Sequence, residues 1–200
     1  MKITFVRHGD TESSESGLCQ RFSESLSDAG RNQAKKIAEA LKDETYDMVY
    51  VSTMRRAIET AEQILIYHPE AKIIYDASIC EYNSGEWEGK SREWRAIKRR
   101  EIAKKLNIHI WEVRPPKGES QKDVKHRVKE FFGKLKMKKL KSILIVSHST
   151  PIFFILYYLL NLSLDDWDKY HLNPGEYLII MGDKKNFRLA KISRINHVKH

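Results

Sequence analysis

The sequence predicts an α/β protein with a three-layer α/β/α architecture, built on a mostly parallel central sheet with one antiparallel edge strand and a helical cap. Apolar runs of strand length alternate along the chain with stretches of helical period, as is typical of this class. Residues 143–146 are all apolar, as expected for a central strand buried on both faces. The last two strand candidates are separated by residues 182–186, which include a glycine, and this spacing indicates a hairpin at the sheet edge.

The first elements follow from local patterns in the N-terminal half. A first helix is expected after Ser27 and Asp28. Ser27 is suited to cap its N-terminus, and the negative charge of Asp28 is favourable at the positive end of the helix dipole. It carries an apolar stripe over residues 34–41, and residues 57–65 carry a second stripe at helical spacing. The strand candidates of the whole chain are residues 3–6, 48–51, 73–75, 142–147, 177–181 and 187–192.

The C-terminal half contains two further helix candidates and one irregular segment. Ser120 with Asp123 resembles a capping box at the start of a helix. The apolar residues 152–160 are fewer than the roughly 18 that a membrane span needs, so they indicate a buried helix. Residues 90–118 do not follow the alternation of strands and helices, and we expect them to form a largely helical, cap-like excursion from the sheet.

Length and composition predict one domain over residues 1–200. The chain is 41% hydrophobic and 32% charged, which is typical of a globular protein. Its two cysteines, Cys19 and Cys80, are too few for a disulfide scaffold or a Cys-rich zinc site, so we expect a reducing, cytoplasmic environment. We expect no signal peptide, because the first apolar run is only residues 3–6, and no membrane span.

The positive charge is concentrated in one segment. The formal net charge is +9, yet residues 90–141 alone hold 19 Lys or Arg and 6 Asp or Glu. This segment therefore accounts for more than the whole basic excess. It favours either an anionic ligand attracted to the cap or a well-solvated surface, and the sequence leaves both open.

Two histidines follow strands at positions where α/β proteins bind ligands. His8 follows the first strand candidate, and His148 follows the central one. Because ligands bind beyond the carboxyl ends of strands in open α/β sheets, both lie where a site is expected. Pro151 suits the first turn of the next helix, so His148 lies just before a helix N-terminus, which favours an anion.

Several short segments, taken in order, resemble the histidine phosphatase superfamily, also called the phosphoglycerate mutase-like family. An isolated tripeptide would mean little, but the order of all the segments makes chance agreement improbable. The segments are RHG at residues 7–9, LSDAGRNQA at 26–34, STMRRAIETA at 52–61, EYNSGEWEG at 81–89, GES at 118–120 and VSH at 146–148.

The resemblance implies a metal-free phosphatase without a cofactor. His8 would attack a phosphomonoester to form phosphohistidine, since a neutral imidazole is a good nucleophile, and Glu81 would be the proton donor. The alignment implies Arg56, rather than Arg55, as a phosphate-binding residue. The proposed phosphate ligands are Arg7, Arg56 and His148, whose donors suit phosphate oxygens; Thr11, Ser14 and Ser149 are further candidates.

Three departures from the family pattern put the substrate in question. Ser14 stands where the family usually has Asn, Ser149 where it commonly has Gly, and Thr53 where it has Pro. Thr11 could either donate to phosphate or cap its own loop. These changes affect substrate choice and rate more than the reaction class.

Two other functions remain open at this point. A bisphosphoglycerate-dependent mutase shares the core residues, but its family sequence ERHYG is replaced here by EYNSG at residues 81–85. An inactive phosphatase-like binding module would instead use the basic segment. We expect a small phosphorylated substrate as the partner, and neither nucleic acid nor membrane; the chain is compatible with a monomer or a homodimer.

Overall fold

A six-stranded sheet is the central element of the protein. The computed structural model describes residues 1–136, 140–183 and 186–194. The strands are β1 (Lys2–Arg7), β2 (Met48–Val51), β3 (Ile73–Tyr75), β4 (Ser142–Ser147), β5 (Tyr177–Gly182) and β6 (Phe187–Ser193). Their order across the sheet is β3-β2-β4-β1-β5-β6, so the two strands that precede the histidines are central neighbours.

The strand predictions are confirmed to within one residue at each end. The pairs β2–β3, β2–β4 and β1–β4 are parallel, whereas β1–β5 and β5–β6 are antiparallel. In place of the single antiparallel edge strand that was predicted, the sheet ends in a hairpin of two strands. Strand β5 runs antiparallel to both of its neighbours, and β6 is the edge strand. Lys184 and Lys185 of its turn, and residues 137–139 of the basic segment, lie outside the described residues.

Helices cover both faces of the sheet. They are α1 (Glu12–Glu15), α2 (Asp28–Ala40), α3 (Arg55–Leu65), α4 (Arg92–Leu106), α5 (Gln121–Lys136), α6 (Ser149–Leu159) and α7 (Trp167–Tyr170). The α2 and α3 helices share one apolar cluster with Leu144 and Val146, while α5 and α6 share the other with Ile143 and Ile145. Alternate residues of β4 thus enter opposite clusters, which explains why the strand is apolar throughout. No helix in the described ranges has the length and apolar character of a membrane span.

The predicted caps and the helical excursion are also present. The Ser27 hydroxyl accepts from the Gly30 N–H at the start of α2, and Ser120 with Asp123 forms reciprocal bonds before α5. The excursion consists mainly of α4, which is capped by Ser91 and ends at Asn107 in the left-handed conformation. No residue of α4 is buried, so the helix lies over the body of the protein rather than within its core.

The loop after β1 is held against α2 by close backbone contact. A Cβ atom on Gly30 would lie 2.0 Å from the Asp10 carbonyl oxygen, and one on Gly9 would lie 2.3 Å from that of Gly30. The Gln33 amide group exchanges hydrogen bonds of 2.8 Å with Asp10, donating to its carboxylate and accepting from its N–H. The glycines and the glutamine of the first two motifs therefore set the position of the segment that carries His8.

We expect Gly30→Ala to destabilise the protein, because the added methyl group overlaps backbone that has no room to move. The expected loss is about 1–3 kcal/mol in the free energy of unfolding measured with urea. Gly133→Ala is the matched control, since nothing lies within 4 Å of a Cβ atom there and alanine is the better helix former. Equal effects of the two substitutions would contradict the close approach of Gly30 to Asp10.

Candidate active site

A polar cavity of about 250 Å³ lies beyond the carboxyl ends of β1 and β4. Its wall combines the loop after α1, the start of α3, the segment after β3, one face of α4 and the segment around α7. The lining residues that carry the argument are Arg7, Arg56, Glu81, Arg92, Arg95, Arg99, Ser149, Trp167 and His171. Such a position is the usual ligand site of an open α/β sheet.

The register of β1 and β4 brings the two histidines together. Arg7 pairs with Ser147, and the His8 N–H donates to the Ser147 carbonyl at 3.1 Å. The ring centroids of His8 and His148 are 4.9 Å apart, and both side chains are buried. Two residues that are far apart in sequence thus become neighbours because their strands pair in parallel.

Hydrogen bonds determine which nitrogen of His8 is free to react. Nδ1 lies 2.7 Å from the Gly9 carbonyl, which only accepts hydrogen bonds, so Nδ1 must carry the proton. Nε2 accepts from Nε of Arg56 at 3.2 Å and therefore holds a lone pair. The assigned tautomer is the one in which Nε2 is the nucleophile.

The electrostatic environment keeps both histidines neutral. Burial lowers the pKa of His8 well below its usual 6.5, and the charges of Arg56 and Arg7 lower it further. Burial likewise lowers the pKa of His148 well below 6.5, with Arg56 the next contributor. A neutral His8 is the form that can attack phosphorus.

Two buried nitrogen atoms at this site lack a partner. The His148 Nε2 atom bonds the Ser52 hydroxyl at 2.8 Å, but its Nδ1 atom has no hydrogen bond. One terminal nitrogen of Arg7 donates to the Leu172 carbonyl at 2.5 Å, whereas its Nε atom is also unpartnered. Burial lowers the pKa of Arg7 to about 10, which leaves it charged at neutral pH. Because buried polar groups are normally paired, these two atoms indicate places for the oxygens of an anion.

The structure distinguishes the two adjacent arginines of α3. Arg56 is 1% exposed, lines the cavity and contacts His8, and its other nitrogens reach the Arg21 carbonyl and the Met54 sulfur. Arg55 points to solvent and pairs with Glu59 at 2.9 Å. The helical rotation between consecutive residues therefore directs only Arg56 to the site.

Glu81 lies on the cavity wall and is held by backbone groups. Its carboxylate accepts from the N–H of Tyr82 at 3.0 Å and from that of Thr150, in the first turn of α6, at 3.3 Å. Its carbonyl accepts from Arg127 at 3.1 Å, and Arg127 also pairs with Glu119 of the GES segment. The GES segment thus helps to position Glu81, a contact that the sequence analysis did not identify.

The remaining three candidates have different surroundings. Ser149 lines the cavity at the start of α6. Thr11 and Ser14 are buried and close the capping box of α1. The Ser14 hydroxyl already bonds Asp10 at 2.8 Å and the Thr11 backbone, so the loop itself uses its hydrogen-bonding capacity.

Three arginines of the cap, which were not among the site residues predicted from the sequence, also face the cavity. Arg92, Arg95 and Arg99 all line the cavity from α4. Their spacing of three and four residues places them on one helix face, which was a signal available in the sequence. The spacing alone does not show whether that face points toward the cavity or toward solvent.

The described residues contain no group of three or more His, Cys, Asp or Glu side chains placed to hold a metal ion. The donors that converge on the cavity are instead guanidinium and imidazole groups. Such donors bind phosphate or carboxylate oxygens through charge-assisted hydrogen bonds.

Comparison with known proteins gives a match over nearly the whole chain. The sequence model described as "Histidine phosphatase superfamily (branch 1)" matches residues 3–194. The chain is 34% identical over 135 residues to the probable fructose-2,6-bisphosphatase TIGAR A of Danio rerio, an alignment covering 65% of this chain and 51% of that protein. The chain thus spans about half the length of this curated relative.

Other relatives are similar to this chain over almost the whole length of both proteins. Phosphoserine phosphatase 1 of Hydrogenobacter thermophilus is 27% identical over 210 residues, covering 99% of this chain and 94% of that protein. Bisphosphoglycerate-dependent phosphoglycerate mutases are also among the relatives. In fold, the chain is similar to the alpha-ribazole phosphatase of Shigella flexneri, with a TM-score of 0.84, 23% identity and 100% coverage of both chains.

The lowered pKa values of the two site histidines predict how stability depends on pH. The unfolded chain takes up protons on both near pH 6.5, whereas the folded protein keeps them neutral to lower pH. The unfolded state then binds more protons, so the free energy of unfolding falls as the pH drops below 6.5. His148→Gln should reduce this slope by at most about 1.4 kcal/mol per pH unit, as measured by urea unfolding from about pH 7.5 to about pH 5.5.

The matched control for this measurement is His126→Gln, because His126 is exposed on α5. It should retain the slope of the unchanged protein. An unchanged slope in His148→Gln would show that His148 is not kept neutral in the folded state.

Proposed function

The chain belongs to the histidine phosphatase superfamily, and on that basis we propose that it is a phosphatase that hydrolyses a small phosphomonoester through a phosphohistidine on His8. The observation that supports this most strongly is the tautomer of His8, whose Nε2 lone pair lies beside the Arg56 guanidinium. A neutral nucleophile next to a cation is suited to attack a phosphate dianion.

In the first step, His8 Nε2 forms a bond to phosphorus while the bond to the ester oxygen breaks. Glu81, protonated for this step, donates its proton to the departing oxygen, and an alcohol leaves. The cationic Arg7 and Arg56 offset the charge on the nonbridging oxygens. In the tautomer of His148 that carries the proton on Nδ1, this otherwise unpartnered atom donates to one of them. This arrangement of donors needs no metal ion.

In the second step, water attacks the phosphorus of phospho-His8 and the nitrogen–phosphorus bond breaks. Glu81 now accepts a proton from the water, so the carboxylic acid and the neutral imidazole are both restored. Inorganic phosphate is the second product. We include Ser149 among the phosphate contacts because it lines the cavity at the start of α6, whereas Thr11 and Ser14 hold the loop after His8.

The residues beside Glu81 favour a phosphatase over a mutase. Mutases of the family have the sequence ERHYG where this chain has EYNSG at residues 81–85. The Arg and His of the mutase segment are therefore replaced by Tyr82 and Asn83. A mutase must hold the substrate while the phosphate moves between its oxygens. Loss of two cationic or polar contacts beside the proton donor weakens that hold.

We expect His8→Ala to abolish covalent labelling by a radiolabelled aryl phosphate, because it removes the Nε2 lone pair that lies beside the Arg56 guanidinium. The measurement is protein-bound label after denaturation in alkali, in which phosphohistidine survives. His126→Ala, which changes an exposed histidine, should label like the unchanged protein.

Two results would contradict the proposal. Equal labelling of His8→Ala and of the unchanged protein would place the nucleophile elsewhere. Absence of both label and phosphate release from the unchanged protein would favour the inactive binding module.

Glu81→Gln should slow release of a poor leaving group more than release of a good one. Without a proton donor, first-turnover release of an alkyl alcohol should fall roughly 100- to 10,000-fold, whereas release of p-nitrophenol should change far less. Rapid-quench measurement of the first turnover isolates this step. Glu86→Gln is the control in the same segment, since Glu86 is exposed and pairs with Lys117; similar losses for both leaving groups would rule out Glu81 as the acid.

A further inference from the structure

The hydroxyl group of Ser52 lies between the imidazole of His148 and the sulfur of Cys80. Its oxygen is 2.8 Å from Nε2 of His148 and 3.2 Å from Sγ of Cys80. We propose that Ser52 is a positioning residue, whose hydroxyl donates to Nε2 and so holds the ring proton of His148 on Nδ1, where it binds a phosphate oxygen. This inference rests on the proposed function, because it concerns how that phosphate is held.

The sheet register holds the two side chains together. Strands β2 and β4 pair in parallel with Val51 opposite Val146, and the Ser52 N–H donates to the Val146 carbonyl at 3.0 Å. Ser52 and His148 follow the ends of these strands, and both are fully buried. Backbone hydrogen bonds therefore set the distance between the hydroxyl and the imidazole.

The first argument is that His148 has a single proton to place. Burial lowers the pKa of the ring well below 6.5, and the charge of Arg56 lowers it further, so the ring is neutral near neutral pH. A neutral imidazole has one N–H donor and one accepting nitrogen. Because Nε2 is engaged with Ser52 and Nδ1 is unpartnered, the ring can donate to phosphate only when the proton is on Nδ1.

The second argument is the choice of acceptors open to the Ser52 hydroxyl. The Met54 N–H donates to the Ser52 oxygen at 3.3 Å, so it cannot receive the hydroxyl proton. Within the part of the chain that the structure describes, the other two partners of this hydroxyl are Nε2 of His148 and the Cys80 sulfur. Sulfur is a weak acceptor and also the more distant one. The hydroxyl proton is therefore better placed on the bond to Nε2.

The third argument is that the opposite arrangement would work against phosphate binding. Nε2 of His148 would then carry the proton and donate to Ser52, whose own proton would point to Cys80. Nδ1 would present a lone pair to the phosphate oxygens, which also carry lone pairs. The direction of one buried hydroxyl thus decides whether His148 attracts or repels the anion.

The outer neighbours are compatible with the proposed direction. The Thr53 hydroxyl lies 3.1 Å from the Cys80 sulfur, so it can donate to that atom and leave the thiol hydrogen for the Ser52 oxygen. Thr53 stands where the family has Pro, which carries no hydroxyl. This outer part of the network is therefore a departure of this chain from the family pattern.

The tautomer of His148 can be measured by nitrogen-15 NMR of protein with labelled histidine. A ring nitrogen that carries a proton and one that carries a lone pair have widely different chemical shifts, and His148→Gln assigns the signals. With inorganic phosphate bound, we expect a neutral His148 ring with its proton on Nδ1. A proton on Nε2 under the same conditions would overturn the proposal. This measurement needs no substitution at Ser52, so it remains decisive should a Ser52 variant fail to fold.

Ser52→Ala should weaken the binding of inorganic phosphate by roughly tenfold in calorimetry, because the hydrogen bond from His148 to a charged group is no longer supported. The fraction of His148 with its proton on Nδ1 should fall in the ligand-free variant. Ser147→Ala is the matched control, since it removes another fully buried hydroxyl, which donates to the Ile79 carbonyl at 2.6 Å instead of to an imidazole. It should retain both the tautomer and the affinity. Equal losses in the two variants would show an effect of packing and overturn the proposal.

Both measurements are independent of turnover, which separates this inference from the proposed function. The expected tautomer and loss of affinity in a protein that releases no phosphate from esters would support the role of Ser52 and overturn the phosphatase. Phosphate release together with an affinity that Ser52→Ala leaves unchanged would overturn the role of Ser52 and leave the phosphatase in place.

Discussion

The parallel pairing of β1 with β4 is the constraint on which the rest of the site depends. The register that places Arg7 beside Ser147 also places His8 beside His148, at the carboxyl ends of both strands. The same edge receives the start of α6, where the Thr150 N–H bonds the Glu81 carboxylate. His8, His148 and Glu81, the residues to which we assign roles in the proposed mechanism, therefore meet because of backbone hydrogen bonds formed along two buried strands.

Uncompensated positive charge is the second organising feature. Burial and adjacent arginines keep the histidines neutral, which is the state that a nucleophile requires. Arg7 and Arg56, which line the cavity, form no ion pair with a carboxylate in the described part of the chain, so both are available to pair with a bound anion. In the proposed mechanism, the same charges that keep His8 neutral also attract the phosphate that it attacks.

The sequence was sufficient for features that depend on local pattern. The strands and the caps at Ser27 and Ser120 follow from periodicity and turn chemistry, and the approach of His8 to His148 follows from two strand ends in a parallel sheet. The surroundings of Ser14 were not predictable, because whether its hydroxyl is free depends on the local turn that α1 forms. The orientation of the arginine face of α4 likewise depends on long-range packing of the cap, which periodicity alone does not encode.

The identity of the phosphorylated nitrogen tests the account most directly. Because Nδ1 of His8 donates to the Gly9 carbonyl while Nε2 carries the lone pair, the phosphoryl group should be attached to Nε2. Phosphorus NMR of the trapped intermediate distinguishes the two isomers of phosphohistidine, and peptide mass spectrometry locates the residue. Phosphate on Nε2 of His8 is the result expected here. Phosphate on Nδ1 of His8, or on His148, would contradict the tautomer and with it the proposed role of the strand pairing.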